Sequence, residues 1–411
     1  TAVPFGGGSS VTGGVNHTRD ERYKGLVTID LRHLNKVLEV DKVSQAARIQ
    51  AGVLGPDMEQ QLKPTGLTMR FFLQAWEFSS LGGWIATRAA GHYATNYTQI
   101  DDHVESMRVV TPQGRIASHR WPTSGAGPNP DRLFLGSEGA LGIITEAWVR
   151  LHKKPTFRMA TTVHFADYEK AVNAVRVISQ AGLFPANARL LEREEARFTE
   201  AGDGTKHVLV LTFESGDHPL DPWMKRALEI CGDFGGEWDT QALQDEESQR
   251  KGSAGNWRNK FLRGPYLRPH AIARGVMRDT MESCVTWDRY MEFQAFVKQR
   301  TLKAIREVTG RDGTCTVRFT HVYPDGPAPY FTWHALGDKS KLVEQFWAIK
   351  SAASDAMCEA GGTITHHHSL GPDHRKWYDK EVPPLFREVI RSAKNTLDPK
   401  WTLNPGILLD R

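Results

Sequence analysis

The sequence predicts an α+β protein built in two parts, and three observations carry that prediction. Glycine-rich stretches recur three times among strand-like runs within residues 1–152. Beyond Pro155 the pattern changes to strand, helix, strand, strand, helix, strand, the order of an antiparallel sheet backed by helices. Near the end, three consecutive histidines, His366-His367-His368, follow the turn at Gly361-Gly362. The chain is accordingly divided into 1–152, a second part at 153–362, and 363–411, which returns to the first.

At 411 residues the chain is long enough for two or three domains and a large core. A net charge of +4, with no block of Lys or Arg, excludes nucleic acid as the expected partner. The four cysteines are scattered without the spacing of a zinc site, which points to a reducing compartment such as the cytoplasm. No apolar run has the length of a membrane-spanning helix. A glycine loop at the start, with little before it, reads as mid-domain, so an N-terminal portion of the first domain is expected to be missing.

The first stretch is Pro4-Phe5-Gly6-Gly7-Gly8-Ser9-Ser10. Glycines without Cβ let a backbone approach a ligand, and successive N–H groups form an anion-binding nest to which serine hydroxyls can add. From Gly25 to Ala51 the expectation is strand, short helix, strand, with a further helix that Gly55-Pro56-Asp57 starts and Pro64-Thr65-Gly66 ends. The second stretch is Leu73-Gln74-Ala75-Trp76-Glu77-Phe78-Ser79, then Ser80-Leu81-Gly82-Gly83-Trp84-Ile85-Ala86-Thr87-Arg88-Ala89. A turn entering a helix of small residues suits either a phosphorylated or planar ligand at the helix start or close helix packing. A hairpin follows around Pro112-Gln113-Gly114. The third stretch, Gly136-Ser137-Glu138-Gly139-Ala140-Leu141-Gly142-Ile143-Ile144, leads into a β-rich run to Leu151.

In the second part, Thr161–Phe165 predicts a strand, Asp167 a helix N-cap, and Tyr168–Ala181 an amphipathic helix. Strands at Asn187–Leu191 and His207–Phe213 and a helix at Leu220–Cys231 continue the pattern. Arg258–Met281 reads as a basic helical segment and Phe293–Val308 as an amphipathic helix. Cys315–Tyr323 is expected to pair with Ala328–His334, whose alternation puts Tyr330, Thr332 and His334 on one face. Lys341–Ala360 predicts the last helix before the histidines. Histidine titrates near neutral pH, so His366, His367 and His368 are candidate acid–base groups. A metal is not expected, because neighbours on a strand face opposite ways and no carboxylate cluster lies nearby in sequence.

Taken in order, the three glycine-rich stretches resemble the FAD-binding domain of the vanillyl-alcohol-oxidase/p-cresol-methylhydroxylase superfamily. The fold this implies is a two-domain FAD-binding fold with an antiparallel-sheet cap. The resemblance gives the FAD pyrophosphate to Pro4–Ser10, and the flavin and adenosine parts to Leu73–Ser79, Ala86–Ala89 and Glu138–Ile144. With no cysteine in these stretches, FAD is expected to be held without a covalent bond. The histidine triplet with Arg375-Lys376-Trp377 is similar to the C-terminal signature of the alkyldihydroxyacetonephosphate synthase family. In that resemblance Arg189 is an activity-critical arginine, Arg268 grips the substrate, and Tyr330 is the active-site tyrosine. Two places depart from it: His334 follows Trp333, and Asp217–Gly255 is short.

The implied chemistry is an exchange without net redox, in which a long-chain fatty alcohol replaces the acyl group of acyl-dihydroxyacetone phosphate after attack by flavin N5. The implied partners are those two substrates, a second copy of the chain, and a membrane surface, peroxisomal in a eukaryote. An FAD-dependent 2-hydroxy-acid dehydrogenase, acting on lactate- or glycolate-like acids, is the alternative enzyme. A redox-dead FAD-fold binding protein is the alternative outside catalysis.

Overall fold

The computed structural model describes residues 1–16, 20–93, 95–240 and 269–411. They form two units: Thr1–His92 with Tyr97–Lys154 and His367–Arg411, and Tyr93–Asn96 with Pro155–His366.

In the first unit, β1 (Ala2–Phe5) pairs in parallel with β2 (Val27–Asp30). The expected short helix after Asp30 does not form; the chain turns and gives β3 (Val37–Asp41) instead. Its Val-Leu-Glu-Val-Asp run pairs antiparallel with β4 (Ala46–Gln50), and that cross-strand partner decides its state over local propensity. Helix α1 (Gly55–Leu62) has Pro at its first turn, and β5 (Leu67–Thr68) follows. Helix α2 (Leu81–Thr87) is capped by Ser80. The predicted hairpin is β6 (Val104–Thr111) with β7 (Gly114–Ala117), and β8 (Ile143–Arg150) precedes β9 (His152–Lys153). The five-stranded sheet runs β3-β4-β8-β6-β7. Its alternating Ala47, Ile49, Val109, Ala147 and Val149 meet Met58 and Leu62 of α1 and Leu81, Trp84 and Ile85 of α2 in one core.

The second unit is a seven-stranded sheet in the order β13-β10-β12-β11-β15-β16-β14. Its members are β10 (Phe157–Phe165), β11 (Asn187–Leu191), β12 (His207–Ser215), β13 (Glu237–Trp238), β14 (Val276–Glu282), β15 (Thr314–Val322) and β16 (Pro327–Leu336). All the pairings are antiparallel. The Asp167 carboxylate accepts the Lys170 N–H at 2.9 Å, starting α3 (Tyr168–Gln180) at the predicted cap. Helices α4 (Arg193–Phe198), α5 (Asp221–Asp233), α6 (Trp287–Thr309) and α7 (Leu342–Glu359) are among its described residues. The helical reading of Arg258–Met281 fails at its end, where Val276–Glu282 is strand β14; residues 258–268 lie outside the described residues.

This sheet has two unlike faces. Tyr290 and Phe293 of α6 meet Phe319 edge-on and Phe331 at a tilt, with ring centroids 4.9 and 6.1 Å apart. Burying each such ring stabilises by about 1.5–3 kcal/mol. Asp279 points the same way and is satisfied by Lys350 of α7 at 2.9 Å. The other face is polar, with Arg278, Thr280 and Glu282 of β14 beside His334, Thr332 and Tyr330 of β16, in register. Thr314, Thr316 and Arg318 of β15 continue the rows.

The chain then re-enters the first unit through α8 (Gly371–Glu381) and α9 (Pro384–Leu397). Two buried charges fasten this segment. Lys394 donates to the carbonyls of Ala140 (2.6 Å) and Leu403 (2.8 Å) and to the Asp398 carboxylate (2.7 Å). The Glu138 carboxylate accepts the N–H groups of Leu370 (2.7 Å) and Gly371 (3.1 Å). Burial pushes the Glu138 carboxyl up to about 7, its two amide donors opposing this.

Removing one member of the first pair strands the other. Lys394→Ala leaves Asp398 buried and unpaired and is expected to lower the unfolding free energy by about 3–5 kcal/mol. Lys394→Met with Asp398→Asn should cost much less, and denaturant titration of the three proteins checks the difference. Glu138 carries a pH signature. Between its ordinary value of 4.5 and about 7 the folded chain holds a proton that the unfolded chain has lost. Stability contributed by the neutral carboxyl is therefore present below that window and is lost as pH rises through it. A melting series from pH 4.5 to 8 should show this decline, and Glu138→Gln should flatten it.

Candidate active site

The first and second glycine-rich stretches turn out to be one construction. Leu31 N–H donates to the Phe5 carbonyl at 2.9 Å, which delivers the chain from β1 into the loop. A Cβ on Gly6 would lie 2.1 Å from Ser80 Oγ, and one on Gly7 1.5 Å from the Phe78 carbonyl oxygen. Glycine at position 7 is thus required by the Phe78–Ser79 backbone and glycine at position 6 by the Ser80 side chain, and not only by a ligand. Gly8 turns with φ +68°, in the left-handed region. Among the described residues, the N–H groups of Gly6, Gly7, Gly8 and Ser9 donate no hydrogen bond. Four successive free amides through such a turn are a nest for a pyrophosphate. Ser10 Oγ accepts the Gly14 N–H at 2.8 Å, which leaves its hydroxyl proton for a ligand.

The second stretch reads differently from its expectation. The N–H groups of Leu81 and Gly82 donate to the carbonyls of Val53 (3.1 Å) and Ala51 (2.7 Å). A Cβ on Gly82 would touch Ala51 at 2.7 Å. The start of α2 is therefore occupied by β4 and the residues after it, so close packing, not an anion, explains Gly82. Ser79 Oγ donates to the Ala75 carbonyl and accepts Trp84 Nε1–H at 2.7 Å. Arg88 is held in an ion pair with Asp101 at 2.8 Å. Trp76 Nε1 and Ser137 Oγ are buried without a hydrogen-bond partner among the described residues, one in the second stretch and one in the third. In the third, Glu138 sits at φ +46° with its N–H on the Ala86 carbonyl, and its own carbonyl accepts from Asn404 at 2.6 Å. Gly139 abuts Pro4, which brings the third stretch to the first. An FAD fits these residues: free amides await its phosphates, and the glycines leave room only for backbone.

In the second unit the polar sheet face gathers the remaining chemistry. Tyr330 stands directly across from Arg318 on one side and Glu282 on the other. The guanidinium of Arg318 lies over the Tyr330 ring, 4.1 Å from its centroid. Arg318 is ion-paired with the buried Glu195 of α4, which also accepts from Thr316 Oγ1. Arg189 of β11 is buried on the same face and donates to the Thr320 carbonyl at 3.4 Å; burial and the neighbouring Arg318 hold its pKa below the usual range. Burial raises the Tyr330 phenol, with Arg318 acting against it, so the hydroxyl is protonated at neutral pH.

A register shift between Phe319 and His321 inserts Thr320 as an extra residue. The bulge turns His321 onto the polar face with Arg318, where its ring stacks on His366 at 4.9 Å. His366 Nε2 meets the Tyr323 hydroxyl at 2.7 Å, and Glu282 accepts the His366 N–H at 3.1 Å and the Thr365 hydroxyl at 2.8 Å.

The histidine triplet is not on a strand: residues 366–368 form a bend. His366 belongs to the second unit, and His367 and His368 to the first, where their rings meet edge to face at 4.8 Å. A carboxylate does reach His366, since Glu282, remote in sequence, arrives through β14. Arg268 lies outside the described residues. Sequence reasoning missed Arg318, Glu195, Glu282, His321 and Tyr323. The available signal was Arg318 itself, a charge set between Val317 and Phe319 in the middle of a strand.

Comparison with known proteins agrees with this fold. The family described as "FAD linked oxidases, C-terminal domain" matches residues 154–408, and the "FAD binding domain" matches residues 1–119. Alkyldihydroxyacetonephosphate synthase of Dictyostelium discoideum is 30% identical over 99% of this chain and 69% of its own length. The synthase of Trypanosoma brucei brucei is 31% identical with the same coverage. A solved structure of an alkyldihydroxyacetonephosphate synthase superposes with TM-score 0.78 at 28% identity, covering 98% of this chain and 71% of that one. FAD is the cofactor of the fold, and the resemblance read from the glycine and histidine motifs holds. The chain belongs to the alkyldihydroxyacetonephosphate synthase family of FAD-linked flavoenzymes.

Proposed function

We propose that this enzyme exchanges the acyl chain of acyl-dihydroxyacetone phosphate for a long-chain fatty alcohol, forming an ether without net oxidation or reduction. The observation that carries the reading is Tyr330, a buried, protonated phenol between a cation and a carboxylate on the polar sheet face. FAD, when bound, supplies the reactive ring system against which the exchange occurs. The rest of the chemistry belongs to side chains.

A neutral phenol suits a proton donor, which would protonate the departing group or steady charge at the ketose carbon. His366, oriented by Tyr323 and fixed through its backbone by Glu282, suits the base that takes the proton of the incoming alcohol. Arg189 supplies a buried cation for an anionic group of the substrate or product. His367 and His368 are kept as further candidates, and Arg268 as the proposed phosphate grip, on the resemblance alone. The Gly6–Ser9 amides would hold the FAD pyrophosphate, with Leu73–Ser79, Ala86–Ala89 and Glu138–Ile144 around the remainder.

A lipid substrate pair places the working enzyme at a membrane surface in this reading. No helix among the described residues is long and apolar enough to cross a membrane. Peripheral contact is expected, and the protein should sediment with phospholipid vesicles and be released by detergent or salt. Full activity on dispersed substrate with no vesicle binding would remove the membrane from the proposal.

Tyr330→Phe keeps the ring and removes the hydroxyl, so FAD content should stay unchanged while ether formation falls by about 10²–10⁴-fold. His366→Ala is expected to lose comparable activity. Incorporation of labelled fatty alcohol into product measures both. Near-normal incorporation by Tyr330→Phe, together with flavin reduction by a 2-hydroxy acid, would replace the synthase reading with the dehydrogenase.

A further inference from the structure

We propose that Arg318, clamped by Glu195, is the positioning residue for Tyr330: its guanidinium over the ring sets the charge environment of the proton donor. The proposal rests on the reading of Tyr330 as that donor. Three observations lead to it. The β15–β16 register puts Arg318 directly opposite Tyr330, and the guanidinium carbon is 4.1 Å from the ring centroid. Both residues are buried, so solvent screens their interaction little. Arg318 is itself immobilised: one carboxylate oxygen of Glu195 takes its Nη1, and the other takes the hydroxyl of Thr316.

Glu195 is held from behind. It projects from α4, whose Ala196 packs with Leu191, Val208 and Val210 against the sheet. A one-turn helix thereby carries its carboxylate to a strand residue more than a hundred positions away. Such a buried pair is not needed for stability, since apolar residues of similar volume often serve as well. Its geometry makes sense for control of the phenol.

A cation over an aromatic face favours negative charge developing on the phenol oxygen. The other charged groups facing Tyr330 are Glu282 and Arg278 on β14, which act in opposite directions, and Arg189 on β11. Thr280 adds a hydrogen bond that favours the ionised form. The Arg318 guanidinium lies over the ring itself. It moves no proton. Burial makes Tyr330 reluctant to release its proton, and Arg318 offsets that reluctance.

The test uses the FAD-loaded full chain and measures alcohol exchange across pH, with KM for both substrates and flavin content per chain. Arg318→Met is expected to lower kcat on the order of 10-fold to 100-fold, a fraction of what a general acid contributes. Its KM values and flavin content should not change, and the basic limb of the profile should move to higher pH. Arg318→Lys should recover part of kcat, because the charge remains although the planar group is gone. Glu195→Gln with Arg318→Met removes the stranded carboxylate, and it should fold normally while retaining the shifted limb. In a Tyr330→Phe background, Arg318→Met should cost nothing more. An additive loss in that background, an unmoved pH limb, or a loss confined to KM or flavin content overturns the proposal. Wild-type exchange by Tyr330→Phe overturns the reading of Tyr330 and the Arg318 proposal together.

Discussion

The first unit depends on one buried carboxylate. Glu138 gathers groups from three parts of the chain: its carboxylate takes Leu370 and Gly371 at the start of α8, and its backbone bonds Ala86 in α2 and Asn404 near the C-terminus. Asn404 also donates to the Gly14 carbonyl, so the loop that would hold a pyrophosphate is tied to the same centre. Backbone amides cannot be left unpaired in a protein interior, and a carboxylate with several lone pairs satisfies more of them than any neutral side chain. The left-handed backbone at Glu138 is strain that these bonds repay. A glutamate that reads in sequence as a cofactor contact is therefore also a structural hub.

The second unit solves a different problem. A sheet of seven strands must bury one face and still carry polar chemistry on the other. Alternation does most of this: Phe319, Phe331 and Trp333 take the helix side, while Arg318, Tyr330 and Thr332 take the opposite side. The bulge at Thr320 then changes the phase, so that His321 joins Arg318 where strict alternation would have turned it toward α6. Two features of sequence, a period of two and one interruption of it, are enough to assemble a stacked histidine pair beside a phenol.

Legibility in the sequence followed the range of the interactions. The glycine loops, the Asp167 cap, the β6–β7 hairpin and the face shared by Tyr330, Thr332 and His334 were readable because each is decided within a few residues. Strand β14 was not. Its Arg278-Asp279-Thr280 run looks too charged for a strand with a buried face, and only Lys350, 71 residues on, explains Asp279 on the buried side. Losing β14 also hid Glu282, and with it the carboxylate beside the histidines. Arg318 and Glu195 were obscured in the same way, since an ion pair across 123 residues leaves no local pattern. The meaning of Gly82 was readable in both senses, and contact with Ala51 chose packing.

The discontinuity of the first unit has a consequence for how the chain is made. Glu138 waits for amides 232 and 233 residues further on, and Lys394 must reach back 254 residues to Ala140. During synthesis from the N-terminus, the entire second unit emerges before those partners exist. Closing so long a loop is slow if the intervening chain is loose, and far easier once that chain has compacted and brought its own ends together. Compaction of residues 155–366 on their own would shorten the loop that residues 367–411 must close. Asn404 is among the last of these partners to be made, and through the Gly14 carbonyl it anchors the segment that follows the nest, so that anchor becomes available late.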